Sequence, residues 1–326
     1  MNQMTCHIRN QYVEHAIAKS IGEGEYQEYA PPKGLSNLHE MVLKDFGLQD
    51  TDAEVCVTDG SLPAIYQAIC YTCPPDTNSI FVDSEPAWSW PRRFSKRELL
   101  KTTPVKIAPD DIEDKSFVYI CSPHNPIGFE YTVEELEALA IKARDVDAWI
   151  LQDCTYKDFS NQFFPIYKIH PDKTITTWSM SKSPGMAGMR VGGVICNPKM
   201  MKEIFTLRPN QLGSNLPGQR AAVAALEAKD QWLPNLLEKI NENREYIYSN
   251  LNIGYCPKPD RANGVWIEFP KEYNSTTVTK HLDEKKLLVR DGIYYKDWGY
   301  KGNFIKVGIA VPHEWIEELV YEVNNL

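Results

Sequence analysis

Residues 178–192 read Trp178-Ser179-Met180-Ser181-Lys182-Ser183-Pro184-Gly185-Met186-Ala187-Gly188-Met189-Arg190-Val191-Gly192, placing one lysine among hydroxyls and glycines directly after a β-like run. That is a poor place for a packing residue. A lysine drawn out of water loses basicity, and its free amine can then attack a carbonyl to form a Schiff base. Arg190 offers a planar fork suited to a phosphate, and Ser179 and Ser181 add hydroxyl donors. A serine- and glycine-rich surface turn around a solvated lysine is the plain alternative, and the segment alone does not decide between the two. The stretch Asp59-Gly60-Ser61-Leu62 follows a β-like run and opens a helical one. The amides of Gly60, Ser61 and Leu62 can therefore meet an anion at the positive end of a helix, although any strand-to-helix turn reads the same way.

The elements that must position these residues follow from periodicity. Short apolar runs at 55–57, 79–82, 117–120, 149–151, 174–177 and 193–196 suit strands buried on both faces. Helical patterns lie between them, the clearest at 132–146, where Thr132 and Glu135 have capping-box spacing. This alternation predicts an α/β fold with a mostly parallel sheet and helices on both sides. Two helical stretches follow, 218–229 and 231–250, the second long enough to bridge two domains. The segments 264–269, 276–287, 304–309 and 313–326 read as strand, helix, strand and helix, a smaller α/β C-terminal lobe. A chain of 326 residues exceeds the usual single-core size. The expected division is an N-terminal segment (1–28) on the small domain or a dimer partner, a large domain (29–235) and a small C-terminal domain (236–326).

The formal net charge of −9 argues against an extended nucleic-acid or anionic-membrane surface. No apolar run reaches membrane-helix length and the first residues lack a signal-peptide core, so the cytoplasm is the expected location. Eight cysteines are too few for a disulfide scaffold at this length. Cys70 and Cys73 form a lone Cys-x-x-Cys without a second pair, so no metal is expected.

The stretch 179–192 resembles the lysine motif of the class I/II aminotransferases, fold-type I pyridoxal-phosphate enzymes, and other landmarks occur in the same order. Ser122-Pro123-His124-Asn125-Pro126-Ile127-Gly128 resembles the family's N-P-x-G turn, whose asparagine donates to the cofactor's 3′ oxygen. Asp153 and Tyr156 match the aspartate that pairs with the pyridine nitrogen and the tyrosine at the 3′ oxygen. Trp88, in Glu85-Pro86-Ala87-Trp88, falls where the family stacks a ring on the cofactor. By position alone the Asn125 segment, Asp153 and Trp88 would be a proline-glycine turn, a strand-end cap and ordinary aromatic core. Tyr29 matches the tyrosine that reaches the phosphate of a neighbouring subunit, which implies a homodimer with shared active sites. Ser214-Asn215 resembles a second dimer-side element more loosely.

The resemblance covers residues 26–311 and implies a fold-type I architecture with a central sheet of the seven-stranded type and a smaller C-terminal domain. It further implies an aminotransferase holding pyridoxal 5′-phosphate as an internal aldimine on Lys182. Such an enzyme moves an amino group between an L-amino acid and a 2-oxo acid in a ping-pong cycle, with Gly60, Ser61, Leu62, Ser179, Ser181 and Arg190 on the phosphate. Lyases and decarboxylases of the same fold, alliinase-like, synthase-like or phosphothreonine-decarboxylase-like, are the alternative; a non-catalytic protein would be expected to have lost Lys182 or Asp153.

Besides Asp59, which stands where the family often has a neutral or basic residue, two features depart from the pattern. The family's strand Y-I-R-I-S carries an arginine for the substrate carboxylate, and the corresponding stretch here, 303–309, has Lys306 instead. A lysine supplies a point charge without the planar fork. Asn125 and Lys306 are thus the expected substrate contacts, with Arg290 either compensating or serving as a strand-end surface charge. The second departure is the short N-terminal portion, which is expected to lack part of the segment that closes over substrate.

Overall fold

The computed structural model describes residues 1–72, 80–85, 87–95, 100–104, 106–207, 213–256, 262–298 and 302–326. Residue 79, Pro86 and Cys73 lie outside the described residues. The strands are β1 (Glu54–Thr58), β2 (Ile80–Glu85), β3 (Leu100–Pro104), β4 (Ser116–Cys121), β5 (Trp149–Asp153), β6 (Thr174–Ser179), β7 (Gly192–Cys196), β8 (Gly264–Glu268), β9 (Arg290–Asp291) and β10 (Phe304–Gly308). The helices are α1 (Gln11–Gly22), α2 (Ser36–Asp45), α3 (Ser61–Thr72), α4 (Trp90–Ser95), α5 (Val133–Asp145), α6 (Pro198–Thr206), α7 (Leu216–Glu227), α8 (Lys229–Asn250), α9 (Ser275–Glu284) and α10 (His313–Asn324).

The first seven strands form one sheet in the order β1-β7-β6-β5-β4-β2-β3. Every residue of β4 and of β7 is buried, as the apolar runs require of strands covered on both faces. All neighbouring pairs are parallel except those made by β7, which is antiparallel to β1 and β6. This single reversal matters for function. Gly192, at the start of β7, sits opposite Thr58 at the end of β1 and Ser179 at the end of β6. The chain just before β7 therefore joins the turns after β1, β4, β5 and β6 along one edge, the carboxyl edge where open α/β sheets bind ligands.

Helix boundaries follow local chemistry. Thr132 Oγ accepts from the Glu135 amide at 3.2 Å, and the Glu135 carboxylate accepts from the Thr132 amide at 2.8 Å, so the capping box forms and starts α5. Helix α3 begins at the Gly60 turn and buries Ala64, Ile65, Ala68 and Ile69 in the core cluster that also takes Cys56, Leu151 and Val194 of the sheet. Helix α8 runs on to the second sheet, β8-β10-β9, which is antiparallel throughout. Leu236, Ile240 and Ile247 are its buried apolar residues, and Asn243 Nδ2 donates to the carbonyls of Ile309 and Val311, both at 2.9 Å.

Residues 1–5 lie on the small sheet, where the Gly308 amide donates to the Met1 carbonyl at 2.8 Å and Asn263 Nδ2 donates to the Met4 carbonyl at 2.7 Å. Met4 fits because Gly264 has no side chain; a Cβ there would stand 2.8 Å from Met4 Cε. Asn2, Gln3 and Thr5 consequently line the central cavity, so this short segment still covers the site. Helix α1 packs along α7. Among the described residues, no helix is long and apolar enough to cross a membrane.

Candidate active site

Ser61, Leu62, Trp88, Asn125, Asp153, Tyr156, Ser179, Ser181, Lys182, Arg190, Arg290 and Lys306 all line one cavity of about 440 Å³. They come from both sheets and from segments far apart in the chain. Gly60 stands directly behind Arg190, whereas Tyr29 is elsewhere, with 77% of its surface exposed.

At one end of the cavity the start of α3 meets Arg190. Gly60 has φ +87°, and a Cβ on it would fall 2.3 Å from Arg190 Nη2, so only glycine lets the guanidinium lie against the turn. Arg190 itself is left-handed (φ +53°); its Nη1 donates to the Ala187 carbonyl at 2.7 Å and its Nη2 to the Asp59 carbonyl at 3.0 Å. The Asp59 backbone thus steadies the arginine. Ser179 Oγ donates to Ser181 Oγ at 2.9 Å and accepts from the Ser181 amide at 3.1 Å, gathering these hydroxyls nearby.

Asp153 lines the same cavity, buried at the tip of β5. Tyr119 Oη donates to its Oδ2 at 2.8 Å, while the amide and hydroxyl of Thr155 donate to Oδ1 at 3.0 and 2.7 Å. Burial raises the Asp153 carboxyl above its ordinary pKa, against the pull of the bonds from Thr155, Tyr119 and Thr177. Sequence reasoning missed Tyr119, Thr155 and Thr177. The available signal was a tyrosine inside an apolar strand run, since a buried phenol must find an acceptor.

The Lys182 amine, on the wall of this cavity, donates to the Gln3 carbonyl at 2.6 Å and lies 5.5 Å from the Tyr156 ring centre. Burial pushes its pKa down to about 8, with Asp153 opposing that fall and the Arg190 charge adding to it. The amine is therefore partly unprotonated near neutrality, the state in which it can attack a carbonyl.

The asparagine turn is held by its neighbours. The His124 amide donates to the Phe129 carbonyl at 2.7 Å, and the His124 ring stacks on Phe129 with centroids 4.4 Å apart. Lys306 Nζ donates to Asn125 Oδ1 at 2.9 Å, which leaves the Asn125 amide hydrogens for another acceptor. Burial lowers the Lys306 pKa to about 7, helped by the Lys182 and Arg290 charges. The Arg290 guanidinium lies 4.7 Å from the Tyr294 ring centre on the wall of the same cavity.

The residues on this cavity suit a group that carries a phosphate, a protonated ring nitrogen and an aldehyde. Pyridoxal phosphate is such a group: the Gly60 turn and Arg190 suit its phosphate, Asp153 its nitrogen, Asn125 its ring oxygen and Lys182 its aldehyde. Among the described residues, no group of three His, Cys, Asp or Glu side chains could hold a metal ion.

Comparison with known proteins agrees with this fit. The family model for aminotransferase class I and II matches residues 5–323. LL-diaminopimelate aminotransferase 2 of Nostoc sp. (strain PCC 7120) is 24% identical over 96% of this chain and 87% of its own length. Histidinol-phosphate aminotransferase 2 of Carboxydothermus hydrogenoformans is 26% identical over 91% of this chain and 83% of its own. Among solved structures, an aspartate aminotransferase tetra mutant from Thermus thermophilus superposes with a TM-score of 0.82 at 20% identity, covering 98% of this chain and 94% of that one. YbdL from Escherichia coli, described as having a methionine aminotransferase function, superposes at 0.84 with 16% identity, covering all of this chain and 93% of its own. At these identities the structural likeness speaks to the fold. With the family match spanning almost the whole length, the chain belongs to the class I and II aminotransferases and is a pyridoxal-phosphate-dependent aminotransferase of fold type I.

Proposed function

We propose that Lys182 is the lysine that bonds the cofactor and moves the proton in transfer of an amino group from an L-amino acid to a 2-oxo acid. One observation carries this reading: the Lys182 amine, the Asp153 carboxylate, the Asn125 amide and the start of α3 all open on one cavity, with a pKa of about 8 on the lysine. When bound, pyridoxal phosphate supplies an aldehyde for the substrate amine and a ring that accepts the electron pair left on the α-carbon. Asp153 holds a proton on the ring nitrogen, Asn125 and Tyr156 hold the ring oxygen, and Trp88 covers a ring face. Arg190, Ser179, Ser181 and the amides of Gly60, Ser61 and Leu62 grip the phosphate. Once displaced by substrate, the Lys182 amine would be placed to take the proton from the α-carbon and deliver it to the cofactor's 4′ carbon, two bonds away.

Arg290 and Lys306 take the substrate carboxylate together, Arg290 as the permanent cation and Lys306 as one that is only partly charged near pH 7. The exposed Tyr29 serves the cavity of a second copy in a homodimer. The large and small domains meet near residue 236, inside α8, and the protein works in the cytoplasm.

The test is chemical. Holoenzyme reduced with borohydride should carry the cofactor mass on the peptide containing Lys182, and Lys182→Ala should fold yet lose both the adduct and turnover. An adduct on another lysine, or a Lys182→Ala variant with wild-type turnover, overturns the assignment. With a labelled donor amino acid, the label should appear in a new amino acid; release of free ammonia or carbon dioxide instead would point to elimination or decarboxylation.

A further inference from the structure

Four charged side chains form a knot behind the cavity. Lys229, the first residue of α8, donates from Nζ to Asp158 Oδ1 at 2.6 Å and to Asp45 at the end of α2. Lys157 Nζ lies 2.9 Å from the same Asp158 oxygen and also pairs with Asp45. The other Asp158 oxygen accepts from Ser183 Oγ. The four charges sum to zero, and their side chains are only 10–18% exposed. None of them lines the central cavity, and neither does Ser183.

What the knot grips is informative. Lys157 follows Tyr156 and Ser183 follows Lys182, while the Tyr156 ring and the Lys182 amine face each other 5.5 Å apart inside the cavity. A single carboxylate therefore anchors the backbone just behind both cavity residues. Through Lys229 it also holds the first turn of the helix that leads to the small sheet, on which Arg290 and Lys306 lie. Burying four charges is costly, and apolar packing fixes segments just as well for stability alone. Directed bonds add something packing does not, a fixed distance between α8 and the Lys182 turn.

We propose that Asp158 is a positioning residue for Lys182, aiming the amine through Ser183 and coupling that aim to the start of α8 through Lys229. This rests on Lys182 being the cofactor lysine. Asp158 touches no reacting atom; its effect is on geometry, and small misplacements of a reacting group are expensive in rate.

The test uses holoenzyme of wild type, Ser183→Ala, Ser183→Thr and Asp158→Asn. For each, the measurements are the melting temperature, the pH midpoint of the bound cofactor's absorbance, the rate at which cofactor-free protein gains a borohydride-reducible adduct at position 182, and kcat and KM. Ser183→Ala should melt close to wild type, load cofactor and turn over about tenfold more slowly with KM nearly unchanged, and show a displaced absorbance midpoint. Ser183→Thr, which keeps the hydroxyl, should restore all three, and Asp158→Asn should show the same defects more strongly. If Ser183→Ala and Asp158→Asn change the melting temperature alone, the positioning role is overturned while the Lys182 assignment stands. If wild type gains no adduct at position 182, both fall together.

Discussion

The two ends of the cavity are built differently. The end that we propose holds the cofactor is made of turns at the carboxyl edge of a seven-stranded sheet, and each of its parts is short in sequence: 59–62, 122–128, 153–156 and 179–192. Bonds within those turns, such as Thr155 to Asp153 and Ser181 to Ser179, are joined there by bonds from Tyr119 to Asp153 and from Arg190 to the Asp59 carbonyl. The end that we propose takes the substrate is made of Arg290, Lys306 and residues 2–5, carried by or laid on a three-stranded sheet. Its key bonds are long in sequence, Lys182 to Gln3 across 179 positions and Lys306 to Asn125 across 181. One end is mounted on the edge of a single sheet. The other joins the two sheets, through the bond from Lys306 on β10 to Asn125.

Changes at the cofactor end should slow the chemistry, and changes at the substrate end should weaken binding. The largest effect is expected for Asp153→Asn, which keeps shape but removes the charge that holds a proton on the ring nitrogen. Turnover should fall by about a hundredfold or more, with weaker cofactor retention. An unchanged kcat, measured at saturating cofactor, would break the assignment of that end.

Next comes Arg290→Leu, which removes the permanent cation of the proposed carboxylate site. Charge-assisted hydrogen bonds are worth roughly 1.5–3 kcal/mol, so KM for the amino acid should rise about ten- to a hundredfold with kcat little changed. If KM stays put, Arg290 is an ordinary strand-end charge and Lys306 acts without it.

The smallest effect is the most diagnostic. The Lys306 pKa lies near 7, depressed by burial, so the side chain is charged below that pH and loses its proton as the pH rises through it. KM for a carboxylate substrate should accordingly climb a few-fold, by about the worth of one partial charge, between acidic and alkaline sides of that midpoint. An arginine stays protonated throughout, so Lys306→Arg should flatten the profile. Identical pH profiles for KM in the two proteins would place the carboxylate elsewhere.

The amino-acid sequence determined the parts whose geometry is local. The β-like runs, the α5 capping box, the strand-helix-strand-helix reading of residues 264–326 and the ordered motifs around Lys182, Asp153 and Asn125 are legible because each depends on residues a few positions apart. Tertiary structure alone decided the rest: the reversal of β7 that brings Arg190 to the shared edge, the Tyr119 bond to Asp153, the N-terminal residues over Lys182, and the lowered basicity of Lys306. The physical reason is that pairing, burial and desolvation are properties of neighbours in space. Neighbours drawn from distant parts of the chain leave no periodic mark in the order of its residues.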